Sequence, residues 1–169
     1  DGGWMWNDKV IEALRSMPGP VLDLQTWGLP IFELGSNQAR RLAIQRILPA
    51  LKYLPGPERE ARAEHLAAAA RAPAGNGPMM SDAHVRTLRA AGMEIGAHSV
   101  THPILTRVTA AQAKREIAES GQRLTEILRE PVRLFAYPNG KPGEDYGPEH
   151  VRMARDAGYR AAVSTAWGV

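Results

Sequence analysis

The sequence predicts an α/β fold in which parallel strands are covered by helices. Three segments in the second half of the 169-residue chain each read as a helix followed by a strand. Two of them, "LRAAGMEIGAHS" and "ARDAGYRAAVST", repeat the same order of helix end, Ala-Gly and strand. Helices and strands that alternate in this way favour parallel pairing with helical crossovers.

Composition excludes several classes of protein. The net charge is +3, and the basic residues interleave with acidic ones, as in "PEREARAEH" and "AKREIAES", so no concentrated basic face for a nucleic acid is expected. No apolar run is long enough to predict a transmembrane segment. The chain contains no cysteine, so a metal site would have to use His, Asp or Glu.

The first half of the chain predicts helices and one hairpin. "NDKVIEALRSM" reads as a helix, and "PVLDLQ" and "PIFEL" read as paired strands around "TWGL". A helical pattern follows Ser36, where Pro49 is expected to kink or split the helix. "GPEREARAEHLAAAAR" predicts another helix, and "APAGNGPMM" predicts a linker or exposed loop. We interpret residues 18–78 as a helical and hairpin insertion within a single, partial domain of residues 1–169.

Each helix of the second half has its own start and stop signals. "VRLFAY" and "YRAAVSTAW" predict the strands that follow two of these helices. The first helix begins after an N-cap at Ser81 and ends before Gly92. The second begins with a capping box of Thr109 and Gln112 and ends before Pro131. The third has Pro148 in its first turn and ends before Gly158.

The stretch "GAHSVTHP" at residues 96–103 places two histidines four positions apart. Gly96, Pro103 and the β-branched residues between the histidines disfavour a continuous helix. We therefore predict a strand, "MEIG", that delivers His98 into a turn beside His102. Imidazoles at a strand end are candidate metal ligands, although two ordinary loop histidines remain the alternative. "AYPNG" ends the next predicted strand and is expected beside them; on its own it could be a plain turn.

Two motifs together resemble the polysaccharide deacetylase family, the NodB-like domain of carbohydrate esterase family four. "GAHSVTHPILTRV" resembles its His-[Ser/Thr]-x-x-His motif, and "RLFAYPNG" is similar to the Phe-x-Tyr-Pro-x-Gly form of the next motif. "GGWMWNDKVIEAL" and "AAVSTAWG" also look like stretches of bacterial members. The resemblance covers most of the chain and is strongest from Met80 to Val169.

The resemblance implies a distorted (β/α) barrel and metal-dependent removal of N-acetyl, sometimes O-acetyl, groups from a polysaccharide. It implies Zn²⁺ or a similar divalent ion, held by an aspartate and two histidines. The resemblance assigns the metal ligands to His98 and His102, the oxyanion donor to the backbone N–H of Tyr137, and the groove to Pro138, Asn139 and Gly140. Separately, Trp4 and Trp6 are candidates for stacking on sugar rings because aromatic faces suit the apolar faces of carbohydrates, with an ordinary core position as the alternative.

The chain departs from the family pattern in three places. The Thr-Phe-Asp-Asp motif and the late Leu-x-His motif are absent, and Ala136 and Tyr137 stand where many members carry an arginine before the proline. The third metal ligand, an aspartate, is therefore expected outside these residues. The barrel is expected to lack its first and last strands, and the chain to be the middle part of a catalytic domain.

Two other functions fit the same residues. One is a non-catalytic carbohydrate-binding relative, and the other is an amidase that acts on small amides with the same fold. Asp145 and Tyr146 could line the groove, whereas His65, His84 and His150 are interpreted as structural or solvated. The location is unknown, with the bacterial cell envelope or periplasm favoured.

Overall fold

The computed structural model describes residues 3–71 and 77–167. They form a mixed α/β structure of helices with two small sheets, so the α/β class is confirmed, while the distorted barrel stays a prediction. Two compact units meet in sequence between Met79 and Met80. The interpretation of residues 18–78 as an insertion is not tested by this division. Most of the expected linker, residues 72–76, lies outside the described residues.

The first unit contains a hairpin and three helices. The predicted hairpin forms: β1 (Val21–Asp23) and β2 (Ile31–Glu33) pair in antiparallel fashion, and a short 3-10 turn, Gln25–Trp27, lies between them. In the observed register Leu22 lies opposite Phe32. The elements are α1 (Trp6–Ser16), β1 (Val21–Asp23), β2 (Ile31–Glu33), α2 (Asn37–Lys52) and α3 (Gly56–Ala69). Helix α1 packs against α2 and α3, and its inward residues join a core that includes Leu14, Leu34, Ile47, Leu51 and Leu66.

Pro49 lies inside α2 and does not split it, whereas the alternative expectation of a kink stays a prediction. The helix continues to Lys52. Pro49 stands in the last turn, where the missing backbone N–H removes one hydrogen bond and the helix ends within a few residues. Leu51, beyond the proline, is fully buried, and its packing holds this turn in place.

The described part of the second unit contains all three predicted helices but only two of the three predicted strands. Its elements are α4 (Asp82–Ala90), α5 (Ala110–Leu128), β3 (Leu134–Ala136), α6 (Pro148–Asp156) and β4 (Ala161–Val163). Both predicted N-caps form. The Ser81 hydroxyl accepts the N–H of His84 at 3.3 Å, and the Thr109 hydroxyl accepts the N–H of Gln112 at 3.2 Å. Gly92 and Gly158 end their helices with φ of 87° and 93°.

The sheet of the second unit is parallel but short. β3 pairs with β4 so that Phe135 lies opposite Ala162. The predicted strand "MEIG" is wrong as a strand: a single parallel bridge joins Ala97 to Phe135 on the other side of β3. Met93 and Glu94 are exposed and precede this bridge, so they bury no side chain against the sheet. The carboxyl ends of all three segments nevertheless lie at one edge.

No helix in residues 3–71 or 77–167 combines the length and apolar character needed to cross a bilayer.

The core of the second unit centres on Phe135, which is 1% exposed and contacts the rings of Tyr137 and Tyr159. The hydroxyl of Tyr159 donates to the carbonyl oxygen of Ile117 in α5 at 2.7 Å. This bond ties α5 to the segment between α6 and β4.

Gly121→Ala is expected to destabilise the second unit by about 1–3 kcal/mol, as overpacking typically does. A Cβ at Gly121 would overlap the Tyr159 hydroxyl and lie 3.0 Å from its Cζ, which would displace the phenol from Ile117. Urea unfolding measures the change. Gln122→Ala, on the exposed face of the same helix, is the matched control and should change stability little. Equal stabilities of the two variants would contradict the packing argument.

Candidate functional site

Backbone hydrogen bonds hold the His98 segment against β3. The N–H of Ala97 donates to the carbonyl oxygen of Leu134, and the N–H of Ala136 donates to that of Ala97, both at 2.8 Å. Gly96 permits the close approach, because a Cβ there would lie 3.2 Å from the Leu134 Cβ. His98 therefore leaves the bridge at the carboxyl edge of the sheet.

The structure brings the two predicted histidine ligands together. The ring centroids of His98 and His102 are 4.8 Å apart, with the ring planes at 70°. Nδ1 of His98 lies 2.8 Å from the carbonyl oxygen of Ala136. A carbonyl only accepts, so we assign the proton of His98 to Nδ1. The lone pair is then on Nε2, which is the arrangement that metal-binding histidines adopt when a carbonyl orients them.

The turn between the histidines has an unusual backbone. Ser99 and His102 have φ of 61° and 54°, in the left-handed region, which costs about 1–2 kcal/mol for each non-glycine residue. The Ser99 hydroxyl accepts the N–H of His102 at 3.1 Å and closes the turn. Further hydrogen bonds reach the turn from Glu116 of α5. Glu116 was not singled out from the sequence, because no local pattern marks a contact between residues 15 or 16 positions apart.

The "YPNG" segment forms a second tight turn at the end of β3. Asn139 and Gly140 have φ of 60° and 76°. The N–H of Thr165 donates to the carbonyl oxygen of Gly140 at 2.9 Å, and the Thr165 hydroxyl donates to that of Asn139 at 3.0 Å. A Cβ at position 140 would lie 2.9 Å from the Thr165 nitrogen. Glycine is therefore favoured there both by the positive φ and by the lack of space for a side chain.

The backbone N–H of Tyr137, expected to stabilise an oxyanion, already has a partner. It donates to the carbonyl oxygen of Val163 at 3.2 Å, as part of the pairing between β3 and β4. In this conformation the N–H is not a free donor, and the oxyanion role stays a prediction.

An open cavity of about 320 Å³ lies at this edge of the sheet. Its lining combines the two imidazoles with small polar groups and comprises His98, His102, Ala136, Tyr137, Asn139, Val163, Ser164 and Thr165. Ser164 and Thr165 were not singled out from the sequence, although they follow directly from β4, whose carboxyl end lies beside that of β3.

Two of the predicted groove residues belong to the buried part of the turn and do not line the cavity. Pro138 is fully buried, and Gly140 is also buried; neither lines the cavity. Trp4 and Trp6 belong to the first unit. The guanidinium of Arg59 lies over the Trp6 ring, with its Cζ 5.1 Å from the ring centroid. Their proposed contact with sugars stays a prediction.

Asp145 and Tyr146 support the site from the loop that follows. Asp145 is 2% exposed, and its carboxylate accepts the N–H of Lys141 at 3.0 Å. Its carbonyl oxygen accepts the N–H of Thr106 at 3.2 Å. The ring of Tyr146 stacks on that of Tyr137, with centroids 3.8 Å apart and planes within 3°. Burial raises the pKa of Tyr137, and the neighbouring Tyr146 raises it further.

The donor set of the cavity fits a divalent metal only in part. Two imidazoles face one space, and the carbonyl bond of His98 leaves its Nε2 available. Catalytic zinc sites normally use three protein ligands. Within residues 3–71 and 77–167, no cluster of three His, Asp or Glu side chains could hold an ion.

The site and the sheet define a mixed α/β protein with a paired-histidine cavity at the carboxyl edge of parallel strands. The sequence model of the polysaccharide deacetylase family matches residues 59–162, more than half of the chain. The chain therefore belongs to the polysaccharide deacetylase family.

One solved structure is similar, the Streptococcus pyogenes deacetylase PplD in complex with acetate. It shares 23% sequence identity and a TM-score of 0.49, over 58% of this chain and 40% of that chain. A comparison with curated proteins finds no match.

Tyr146→Phe should lower the pKa of Tyr137 while leaving it above the ordinary value of about 10. Phenylalanine keeps an aromatic ring in the stack but removes the Tyr146 hydroxyl, whose electrostatic interaction raises the pKa of Tyr137, whereas the burial that raises this pKa remains. An alkaline titration of the Tyr137 ring carbon by NMR measures the pKa. An unchanged or higher pKa would show that the two hydroxyls do not interact.

Proposed function

We propose that this chain carries the metal-binding histidines of a deacetylase that hydrolyses N-acetyl or O-acetyl groups of a polysaccharide. Membership of the polysaccharide deacetylase family supports a hydrolase that acts on acetylated carbohydrate. The observation that carries the metal dependence is the convergence of His98 and His102, with His98 oriented by the Ala136 carbonyl.

The cofactor proposed is Zn²⁺ or a similar divalent ion, with His98 and His102 as two of its ligands. When bound, such an ion lowers the pKa of water to about 7 and polarises an acyl oxygen. The chain's own contribution is to hold both rings in place. Ala136 fixes the tautomer and direction of His98, and the closed turn through Ser99 fixes the backbone of His102.

The rest of the cavity supplies the surface for an acetylated sugar. Asn139, Ser164 and Thr165 line it beside the histidines, and side chains of this kind hydrogen-bond amides and hydroxyls. The cavity is open, as a site for a polymeric substrate requires, because the chain must continue beyond the sugar that reacts. These features support a carbohydrate substrate without selecting one polysaccharide.

His98→Ala or His102→Ala in the full-length protein should weaken Zn²⁺ binding by more than about 100-fold and abolish acetate release. The reason is that each change removes a ligand, whereas loss of a residue that merely orients a ligand typically costs 10–100-fold. Competition with a chelating dye measures affinity, and acetate release from N-acetylated chito-oligosaccharides measures activity.

His84→Gln is the matched control, because His84 caps α4 through the Ser81 N–H and glutamine can cap in the same way. It should leave both readouts unchanged. Carbohydrate binding without acetate release by the wild-type protein would instead support the non-catalytic alternative. Acetate release that survives removal of either histidine would refute the proposed ligands.

A further inference from the structure

We propose that Glu116 is a positioning residue that holds the turn between His98 and His102 in the geometry required for metal binding. This inference rests on the proposed function. It assigns a role to a side chain of α5 that belongs to neither of the two motifs and does not line the cavity.

Three short hydrogen bonds connect the Glu116 carboxylate to the turn. Oε2 accepts the backbone N–H groups of Val100 and Thr101 at 2.7 and 2.8 Å. Oε1 accepts the Thr101 hydroxyl at 2.7 Å. Hydrogen bonds to an ionised acceptor are about twice as strong as neutral ones. Both oxygens of one carboxylate are therefore committed to the residues between the two histidines.

The turn needs an external support because its own backbone is strained. Ser99 and His102 both have left-handed backbones, and such conformations persist only where the surroundings hold them. The strand ladder ends at the Ala97 bridge and does not extend into the turn. Val100 and Thr101 are exposed, so without Glu116 their N–H groups could bond to water in many other conformations.

The two histidines are consequently held by different elements. His98 is anchored to the sheet through Ala136, independently of Glu116. His102 follows the turn that Glu116 holds, and Glu116 is followed in α5 by Ile117, which is fully buried and accepts the Tyr159 hydroxyl. Glu116 thus fixes the position of His102 relative to His98 by fastening the turn to a helix that is itself fixed to the core.

Glu116 does not act as a metal ligand in this arrangement. Both its oxygens already accept hydrogen bonds from the turn, and among the described residues it forms no three-ligand cluster with the histidines. Its function is to orient the backbone that carries a ligand, and its loss should therefore weaken metal binding without eliminating it.

The test compares Glu116→Gln and Glu116→Ala with Glu119→Gln in the full-length protein. Glutamine keeps the size of the side chain but loses the charge and one acceptor, so Zn²⁺ affinity should fall about tenfold; alanine should lower it by up to about 100-fold. Glu119 lies on the same helix, where its carboxylate forms an exposed ion pair with Arg115, so the control should keep wild-type affinity within about twofold, as expected for an exposed pair.

Readouts on the metal-free protein separate positioning from a general loss of folding. The amides of Val100 and Thr101 should exchange faster in both Glu116 variants. The His98 proton should stay on Nδ1 in ¹⁵N NMR spectra, since the Ala136 bond does not involve Glu116. Zn²⁺ affinities are compared at a temperature well below the thermal unfolding midpoint of each variant. If Glu116→Ala folds poorly, the comparison rests on Glu116→Gln.

The outcomes distinguish this inference from the proposed function. Zn²⁺ binding by the wild type that both Glu116 variants retain unchanged would overturn the role of Glu116 alone. Absence of Zn²⁺ binding by the wild type would overturn the proposed metal site and this inference together. Weaker binding with faster exchange only at the turn would support the inference.

Discussion

The hydrogen bond from His98 to the Ala136 carbonyl is the contact on which the site depends. It joins a side chain that follows one sheet segment to the last residue of the neighbouring strand. The same carbonyl-bearing residue donates its N–H to Ala97. Strand pairing and imidazole orientation are therefore one structural feature, because any shift of Ala97 along β3 would move His98 away from the oxygen that fixes its tautomer.

The sheet around this contact is too short to order the loops by itself. Its two strands have three residues each, and the third segment contributes a single bridge. Polar side chains hold the loops in place, either from a neighbouring element or from within the loop. Glu116 binds the histidine turn, Asp145 binds the loop after "YPNG", and Thr165 binds the turn before it. Hydrogen bonds from polar side chains to the loop backbone thus replace the missing ladder.

Local signals predicted most of the fold, and non-local contacts account for what they missed. The N-caps at Ser81 and Thr109 follow from side chains that bond within three residues. The prediction of "MEIG" as a strand was wrong because strand formation here depends on pairing with β3, and the hydrophobic pattern of a segment does not reveal which of its residues pair with a neighbouring strand. The histidine pair was predicted from its spacing and breakers, whereas the contribution of Glu116 lies in another helix, beyond the reach of sequence patterns.

The position of Tyr137 shows why a family motif does not determine the state of each atom in it. Its N–H donates to the carbonyl oxygen of Val163, and two residues further along the chain the N–H of Thr165 donates to the carbonyl oxygen of Gly140. Withdrawing the Val163 carbonyl would require β4 to move against this second bond. A backbone N–H can, however, be shared by two acceptors, and 3.2 Å is toward the long end of the range for an N–H···O bond. Oxyanion stabilisation by Tyr137 therefore requires a shared hydrogen bond, with the ladder intact.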